Sequence, residues 1–273
     1  MKLTSLFTVL AVAAVMSLLA APAQADTVIR PGFNGNVFPG NDDGSVGPVG
    51  IGFTADFFGA SYSQAYVNNN GNITFDYGLG TYTPFDLTST SRKIIAPFFG
   101  DVDTRAGNVV TYGTGTVGGR NAFGVNWLEV GYYGYHTDKL NTFQLVLIDR
   151  SDINPGDFDF EFNYEQIQWE TGDASGGSGG LGGSSARAGY SNGLSGVDER
   201  SYEILGSAIN GALLDSNLST GLIYNSLNSG LDGRYLFEVR NGQVQPVIPE
   251  PLTLTACLVG SALVGLKLRR RMA

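Results

Sequence analysis

The chain has 273 residues, which is enough for one substantial domain with its own core, and its formal net charge is −9. Residues 26–248, the central region, hold 24 acidic and 11 basic residues, a net charge of −13. This charge excludes nucleic acid and anionic lipid as partners and favours divalent cations or basic partners. The single cysteine, Cys257, lies outside the central region, which excludes thiol catalysis and disulfides within it.

The chain begins with the three parts of an export signal. Lys2 supplies a positive start, residues 6–21 are apolar, and Ala23 and Ala25 form the small-x-small pattern that signal peptidase cuts. A buried N-terminal helix is the alternative, but the polar residues that follow at once disfavour it. We therefore predict a signal peptide over residues 1–25.

The first half of the central region alternates apolar and polar residues with the period of β-strands. Residues 66–75 predict a β-hairpin, and the Asn-Gly pair at 70–71 favours a type I′ turn, since both central residues of that turn need positive φ. We expect residues 109–112 to pair with residues 122–127. Residues 143–148 are apolar on both faces, which is typical of a central strand.

The second half contains one strongly two-faced segment. Aromatic side chains alternate with acidic or amide side chains over residues 157–164, so that one face is aromatic and the other is acidic. The phase changes at Ile167 and Trp169, which predicts a β-bulge near residues 165–166.

Three further segments complete the central region. Residues 171–185 are rich in Gly and Ser, which predicts a flexible loop of little packing value. Residues 202–214 have apolar residues near helical spacing, although Gly206 and Gly211 weaken the prediction of a helix. Residues 235–239 predict a closing strand. Together these segments predict an all-β fold, a single antiparallel β-sandwich-like domain with one short helix.

The order of several short motifs resembles one family of extracellular modules. The motifs are NDDGS at 41–45, GF at 52–53, DFFG at 56–59, YVNNNGNITF at 66–75, IIAPFFGDVDT at 94–104, NTFQLVL at 141–147, YEQIQW at 164–169 and GRYLF at 233–237. Together they resemble the nidogen-like, or NIDO, domain over roughly residues 41–239. The resemblance implies an extracellular-matrix or adhesion role. The chain departs from the animal members in context, since no EGF-like or von Willebrand-type neighbour accompanies the domain, which leaves the partner open.

The C-terminal residues read as a sorting signal in three parts. A Pro-Glu-Pro motif precedes the uncharged residues 252–266, and a basic cluster follows. Fifteen residues make a helix of about 22 Å, which is short for a hydrocarbon core of about 30 Å, and the basic cluster predicts a cytoplasmic end. The signal residues are Pro249, Glu250, Pro251, Arg269, Arg270 and Arg271.

This arrangement resembles the PEP-CTERM sorting signal of Gram-negative bacteria. The resemblance implies that a membrane-embedded exosortase cuts near the Pro-Glu-Pro motif. We therefore expect a sorting tail over residues 249–273, with a transmembrane helix over about 252–268. The protein would be anchored transiently in the inner membrane with its central region in the periplasm, and would then reach the cell surface or the exterior. A permanent tail anchor is the alternative.

Enzyme chemistry has little support in the sequence. His136 is the one histidine of the chain, and no G-x-S-x-G elbow accompanies it, which disfavours a Ser-His-Asp site. Residues 113–118 fit G-x-G-x-x-G, but an apparent strand follows where a phosphate-binding loop needs a helix, so a hairpin loop is favoured. We predict no catalytic and no cofactor-binding residue.

Acidic clusters are the strongest candidates for a ligand site. Calcium binds six to eight oxygens, often from several carboxylates on loops. No cluster has the spacing of an EF-hand loop, and a solvated acidic face is the alternative for each, so calcium stays open and no metal ligand is assigned. Asp101 and Asp103 point the same way in an extended segment, which would let them share an ion. The clusters are Asp42 with Asp43, Asp101 with Asp103, and Asp157 with Asp159 and Glu161.

The aromatic residues leave a second kind of ligand open. Trp127 and Trp169 are expected in the core, whereas the tyrosines of residues 132–135 are hard to bury together and would suit stacking on sugars. The sequence therefore predicts an exported, non-enzymatic adhesion protein of the cell surface or matrix, which binds matrix, polysaccharide or a surface protein. A carbohydrate-binding or structural module of biofilm exopolysaccharide is the alternative, and a secreted hydrolase is less favoured.

Overall fold

The computed structural model describes residues 27–196 and 199–246. These residues form two antiparallel β-sheets packed face to face, which confirms the predicted all-β sandwich. Short 3₁₀ helices occur at Leu87–Ser89, Asp173–Ser175 and Leu222–Tyr224. The strands are β1 (Asn36–Phe38), β2 (Ser45–Phe57), β3 (Ala60–Asn68), β4 (Asn72–Thr74), β5 (Lys93–Phe99), β6 (Val102–Asp103), β7 (Val110–Val117), β8 (Arg120–Tyr132), β9 (His136–Asp149), β10 (Phe158–Gln166), β11 (Arg187–Asn192), β12 (Ser201–Glu203), β13 (Arg234–Arg240) and β14 (Gln243–Val244).

The strand order of each sheet determines which loops lie next to one another. One sheet has eight strands in the order β1-β7-β8-β9-β10-β13-β14, and β6 pairs with β8 beside this path. The other has six strands in the order β12-β11-β5-β4-β3-β2. Because β5 ends in the six-stranded sheet and β6 pairs in the eight-stranded sheet, the short link between them passes from one layer to the other at one edge of the sandwich.

Aromatic side chains fill the space between the sheets. Phe98 of β5 lies 5.2 Å from the Phe143 ring of β9, and Tyr190 of β11 lies 5.7 Å from Phe160 of β10, measured between ring centroids. Alternation along each strand points every second side chain inward, so these rings form one continuous hydrophobic core. The interior is therefore packed with side chains.

The outer face of the eight-stranded sheet is partly covered by the chain's own N-terminal segment. Phe33 packs with Val146 and Ile148 in a separate small apolar cluster. The backbone N–H of Arg30 donates to Gln144 Oε1 at 3.0 Å, and the Gln144 amide donates back to the Arg30 carbonyl at 2.8 Å. This segment brings a cation over a face of the sheet that the sequence pattern makes acidic.

Most of the predicted strands are confirmed. Tyr112 of β7 pairs with Val125 of β8, and β9 lies between β8 and β10 as a central strand. The register of β10 shifts between Tyr164 and Gln166, which confirms the predicted bulge. The closing strand is β13.

The hairpin at residues 66–75 forms, but its turn differs from the predicted type I′ turn. Asn68 of β3 lies opposite Asn72 of β4, which leaves a connection of three residues rather than two. Within this connection Gly71 has positive φ, +72°, whereas Asn70 does not. The extra residue leaves the Asn69 and Asn70 side chains free to bond to other loops.

The predicted helix at residues 202–214 is wrong. The segment begins in β12 and continues as a series of turns. Gly206, Ala208 and Gly211 have φ values of +102°, +61° and +77°, and a right-handed α-helix needs φ near −63° at every residue.

The prediction that residues 171–185 pack poorly is also wrong. The backbone N–H groups of Glu170 and Thr171 both donate to the Gly180 carbonyl, at 2.8 and 3.1 Å, and Leu181 packs against the main core. Backbone hydrogen bonds order this glycine-rich loop, although its side chains are small.

Two sets of predicted residues lie outside the described part of the chain. They are the signal-cleavage residues Ala23 and Ala25, and the sorting-signal residues Pro249, Glu250, Pro251, Arg269, Arg270 and Arg271. Within residues 27–196 and 199–246, no helix combines the length and the apolar character that a membrane span requires.

Candidate functional site

Three loops meet at one edge of the sandwich and bring three carboxylates together. Asp42 and Asp43 lie between β1 and β2, and Asp101 lies in the link between β5 and β6. One carboxylate oxygen from each residue lies within 4.8 Å of the others. The β3–β4 connection, with Asn69 and Asn70, lies between them. This group of three aspartates is called the carboxylate cluster below.

The two asparagines hold these loops in place. Asn69 Nδ2 donates to the Asp42 carbonyl and, at 2.5 Å, to the Val102 carbonyl. Asn70 Nδ2 donates to Asp43 Oδ1 at 2.9 Å, while Asn70 Oδ1 accepts from the Val102 N–H at 3.0 Å. Both asparagine side chains are buried, so their hydrogen bonds connect all three loops without competition from bulk water.

The carboxylate cluster is short of positive charge and of hydrogen-bond donors. Asp101 is 1 % exposed, and among the described residues neither of its carboxylate oxygens has a hydrogen-bond partner; Asp42 Oδ1 is in the same state. The pKa of Asp101 is raised to about 7, chiefly by burial and in addition by the charges of Asp42, Asp43 and Asp103. The Ser175 hydroxyl is near enough to lower this pKa in part, without a hydrogen bond of normal geometry.

Asp42 shows the same electrostatic strain. The pKa of Asp42 is raised to about 6, chiefly by burial and in addition by the charges of Asp43 and Asp103. Arg105 opposes them, since its Nη2 lies 3.2 Å from Asp42 Oδ2. One shared arginine does not offset three grouped carboxylates.

Asp103 does not share a ligand position with Asp101, in contrast to the sequence prediction. Arg105 binds both Asp103 oxygens, from Nε to Oδ1 at 2.9 Å and from Nη2 to Oδ2 at 2.6 Å. The Tyr135 backbone N–H donates to Asp103 Oδ2 at 3.0 Å. Burial opposes ionisation of Asp103, but these hydrogen bonds outweigh it and lower the pKa. Asp103 is therefore a paired carboxylate, and Asp101 groups with Asp42 and Asp43 instead.

The acidic face of β10 is neither solvated nor free to bind an ion. Glu161 accepts from Arg30 Nε and Nη2 at 2.5 and 2.7 Å. Arg150 Nη1 and Arg240 Nη1 lie 2.5 and 2.6 Å from the two oxygens of Asp159, the second contact without hydrogen-bond alignment.

Asp157, the third member of that predicted cluster, is also occupied. Its Oδ1 accepts from the Asn241 backbone N–H at 2.7 Å, and the residue is buried. Asp157, Asp159 and Glu161 thus act as structural anchors for distant segments of the chain.

The aromatic candidates divide between the core and the surface. Trp127 and Trp169 are fully buried, as predicted, and Tyr132 is buried with them. Tyr133 is half-buried and Tyr135 is 58 % exposed. Tyr135 carries the Arg105 guanidinium 4.1 Å from its ring centroid, which places an exposed aromatic ring beside the carboxylate cluster.

The single histidine and the glycine motif both lie in the eight-stranded sheet. His136, half-exposed at the start of β9, has Asp138 3.5 Å from Nδ1 and Asp173 3.1 Å from Nε2, and it stacks on Tyr132. Residues 113–118 run along β7 into a hairpin with β8, as predicted.

The sequence did not single out Asn69, Asn70 or Gly172 as site residues. Asparagine and glycine in a turn are usually explained by the turn itself, so their role in joining loops was hidden. A Cβ atom at Gly172 would collide with the Asp101 carboxylate. The run of three asparagines before Gly71 was the one signal that more than a turn was present.

Comparison with known proteins identifies relatives over most of the chain. The family model described as nidogen-like domain matches residues 63–241. Alpha-tectorin of Homo sapiens is 30% identical over 265 residues, which cover 85% of this chain and 11% of that protein. Alpha-tectorin of Gallus gallus is 36% identical over 182 residues, 57% of this chain and 8% of that protein. Nidogen of Drosophila melanogaster is 31% identical over 211 residues, 67% of this chain and 14% of that protein.

The chain therefore spans only about a tenth of the length of the relatives it matches. No solved structure matches it significantly.

Proposed function

Because the chain belongs to the nidogen-like domain family, we propose that it is an exported, non-enzymatic adhesion or matrix protein that binds its partner through the loops of its sandwich. The observation that carries the proposal is the extent of the family match, which covers strands of both sheets. The similarity thus concerns most strands of both sheets rather than one short motif.

The packing of the sandwich supports recognition at its surface. The interior is occupied by aromatic side chains, including the two tryptophans, which are fully buried. Loops on a rigid scaffold are the usual place for binding residues. At the loop edge, the buried side chains of Asn69 and Asn70 hold loops from distant parts of the chain together.

A binding assay tests the adhesion proposal. The exported protein would be immobilised and offered cells, extracellular polysaccharide and matrix preparations from its own source. We expect saturable binding to at least one of them, lost when the protein is unfolded by heat. The unfolded sample is the matched control, because it keeps the negative charge and loses the fold. Uniform failure to bind would contradict the proposal.

The route to the surface is a separate part of the proposal. The residue pattern of 249–273 supports processing by an exosortase at the Pro-Glu-Pro motif, after export directed by residues 1–25. Intact-mass measurement of the exported protein is expected to show both ends missing. A retained C-terminal tail would instead indicate an ordinary membrane anchor.

A carbohydrate ligand is the second candidate, and the exposure of Tyr135 favours it. An accessible ring flanked by a cation and carboxylates suits stacking on a sugar and hydrogen bonding to its hydroxyls. Tyr135→Ala is expected to weaken retention of the exopolysaccharide about tenfold, measured by calorimetry. Tyr77→Ala is the matched control, since Tyr77 is 59 % exposed and also carries an arginine over its ring. Equal loss in both variants would contradict a sugar site at Tyr135.

A further inference from the structure

The carboxylate cluster carries more negative charge than the neighbouring described residues balance. Asp101 is buried with both oxygens unpartnered among the described residues, and Asp42 adds a third unpartnered oxygen. Buried polar atoms in native proteins nearly always have a partner, and a buried carboxylate is tolerated when it is paired or coordinates a metal. Arg105 donates two hydrogen bonds to Asp103. Its Nη2 also lies near Asp42 Oδ2, but not near the unpartnered Asp42 Oδ1.

We propose that Asp42, Asp43 and Asp101 bind one calcium ion at the loop edge of the sandwich. The ion supplies the missing positive charge and takes the unpartnered oxygens as ligands. This site is separate from the proposed adhesion function and does not depend on it.

The surrounding chain keeps room for the Asp101 carboxylate and leaves the other two carboxylates accessible. Gly172 faces the Asp101 carboxylate, and any side chain there would occupy its space. Asn70 holds the Asp43 carboxylate from one side at 2.9 Å and leaves its second oxygen for another contact. Asp42 and Asp43 are not fully buried, so an ion has a path from solvent.

The ligand chemistry and spacing favour calcium. All three residues offer carboxylate oxygens, which hard cations prefer. Ca²⁺ binds oxygen at about 2.3–2.6 Å, so oxygens on opposite sides of one ion are about 4.6–5.2 Å apart. One oxygen from each of the three residues lies within 4.8 Å of the others, so their spacing suits a single Ca²⁺. Water and the nearby Ser175 hydroxyl would complete the coordination.

Binding would join three segments that are distant in sequence. The ion would connect the β1–β2 loop to the β5–β6 link, next to the loop that contains Ser175. Extracellular modules bind calcium with Kd of about 10⁻⁴–10⁻³ M. At roughly 30 times such a Kd, ligand linkage raises the Tm of a domain of this size by about 4–8 °C.

The test measures thermal unfolding of the full chain, purified in mild detergent and stripped with EDTA. We expect 10 mM CaCl₂ to raise Tm by about 4–8 °C, and equilibrium dialysis against radioactive calcium to count one ion per chain at this site. NaCl of equal ionic strength controls for screening. Absence of a Tm shift in the parent, or an equal shift with 10 mM MgCl₂, would overturn the assignment of calcium.

Two variants and one control locate the site. Asp101→Asn is expected to lose the calcium response while its Tm in EDTA equals or exceeds that of the parent, because the substitution removes charge repulsion. Asp43 lies nearer the surface, and Asp43→Asn is expected to weaken calcium binding at least tenfold. This variant tests the site if Asp101→Asn fails to fold. Glu165→Gln removes an exposed carboxylate from β10 and is expected to respond as the parent does. A normal calcium response in both aspartate variants would overturn the proposal.

Discussion

The two acidic regions of this sandwich meet the same electrostatic problem with opposite solutions. On the outer face of β10, Asp159 and Glu161 are buried against arginines, and Arg30 and Arg240 among these come from segments far away in sequence. At the loop edge, Asp101 is buried to the same degree, but the carboxylate cluster keeps three oxygens without a hydrogen-bond partner among the described residues. The comparison teaches that the spacing of acidic residues along a chain does not reveal a ligand site. The cations that pack over those residues decide whether an ion is still needed.

The first prediction concerns a substitution that removes an ion pair from the outer face of β10. Glu161→Ala leaves Arg30 and Arg234 over the sheet without their carboxylate, and removal of one partner from a buried ion pair costs about 3–5 kcal/mol. Since Arg30 is partly exposed, we expect about 3 kcal/mol, measured by denaturant unfolding. The loss is expected to be the same in EDTA and in calcium. Glu165→Gln, on the same strand but exposed, is the control and should change stability by less than about 0.5 kcal/mol.

The second prediction concerns the pH dependence of the metal-free protein. The pKa of Asp101 in the folded state is about 7, raised from the ordinary aspartate value of 3.8, so the folded state holds the proton more tightly than the unfolded state does. Folding is therefore favoured at low pH, and this contribution is lost as pH rises from about 4 to about 7. Allowing for solvent screening, we expect the parent to lose about 2 kcal/mol more than Asp101→Asn over this range in EDTA.

Calcium should remove that difference, because the ion compensates the charge that the proton neutralised. The measurement is urea unfolding of parent and Asp101→Asn at several pH values, with EDTA or with calcium. Parallel pH profiles of the two proteins in EDTA would show that ionisation of Asp101 does not destabilise the fold. The carboxylate cluster would then need a cation no more than the paired Glu161 does.

The third prediction concerns a substitution that fills the space beside the carboxylate cluster. Gly172 has φ of −81° and ψ of 160°, values that alanine adopts without strain. Gly172→Ala therefore acts through its Cβ, which displaces the Asp101 carboxylate. We expect calcium affinity to fall about tenfold, with a stability loss of about 1 kcal/mol in EDTA. Gly35→Ala, where an added Cβ meets open space, should leave calcium affinity unchanged, and equal effects in the two variants would contradict this reading.

Several elements followed from local sequence because their causes are local. The alternation over residues 157–164 predicted β10 and its aromatic inner face, and the change of phase predicted the bulge after Tyr164. The segment at 202–214 misled because apolar spacing cannot report positive φ at Gly206, Ala208 and Gly211. The glycine-rich loop at 171–185 misled because its order comes from backbone hydrogen bonds, which leave no trace in side-chain hydrophobicity.

The site shows the same limit. Asp42, Asp43 and Asp101 were each recognised as acidic candidates, yet the expected partner of Asp101 was Asp103, its neighbour in sequence. Arg105 takes Asp103 through two hydrogen bonds, and the three-residue β3–β4 connection brings Asn70 against Asp43.

By itself the amino-acid sequence determined that this protein is a β-sandwich related to nidogen-like domains, because strand periodicity and motif order are properties of the linear sequence. Only the tertiary structure decided which carboxylates are paired and which are left to a ligand. Coulomb energy and desolvation depend on distance and burial in space, and residues about 60 positions apart acquire both only when the sheets have packed.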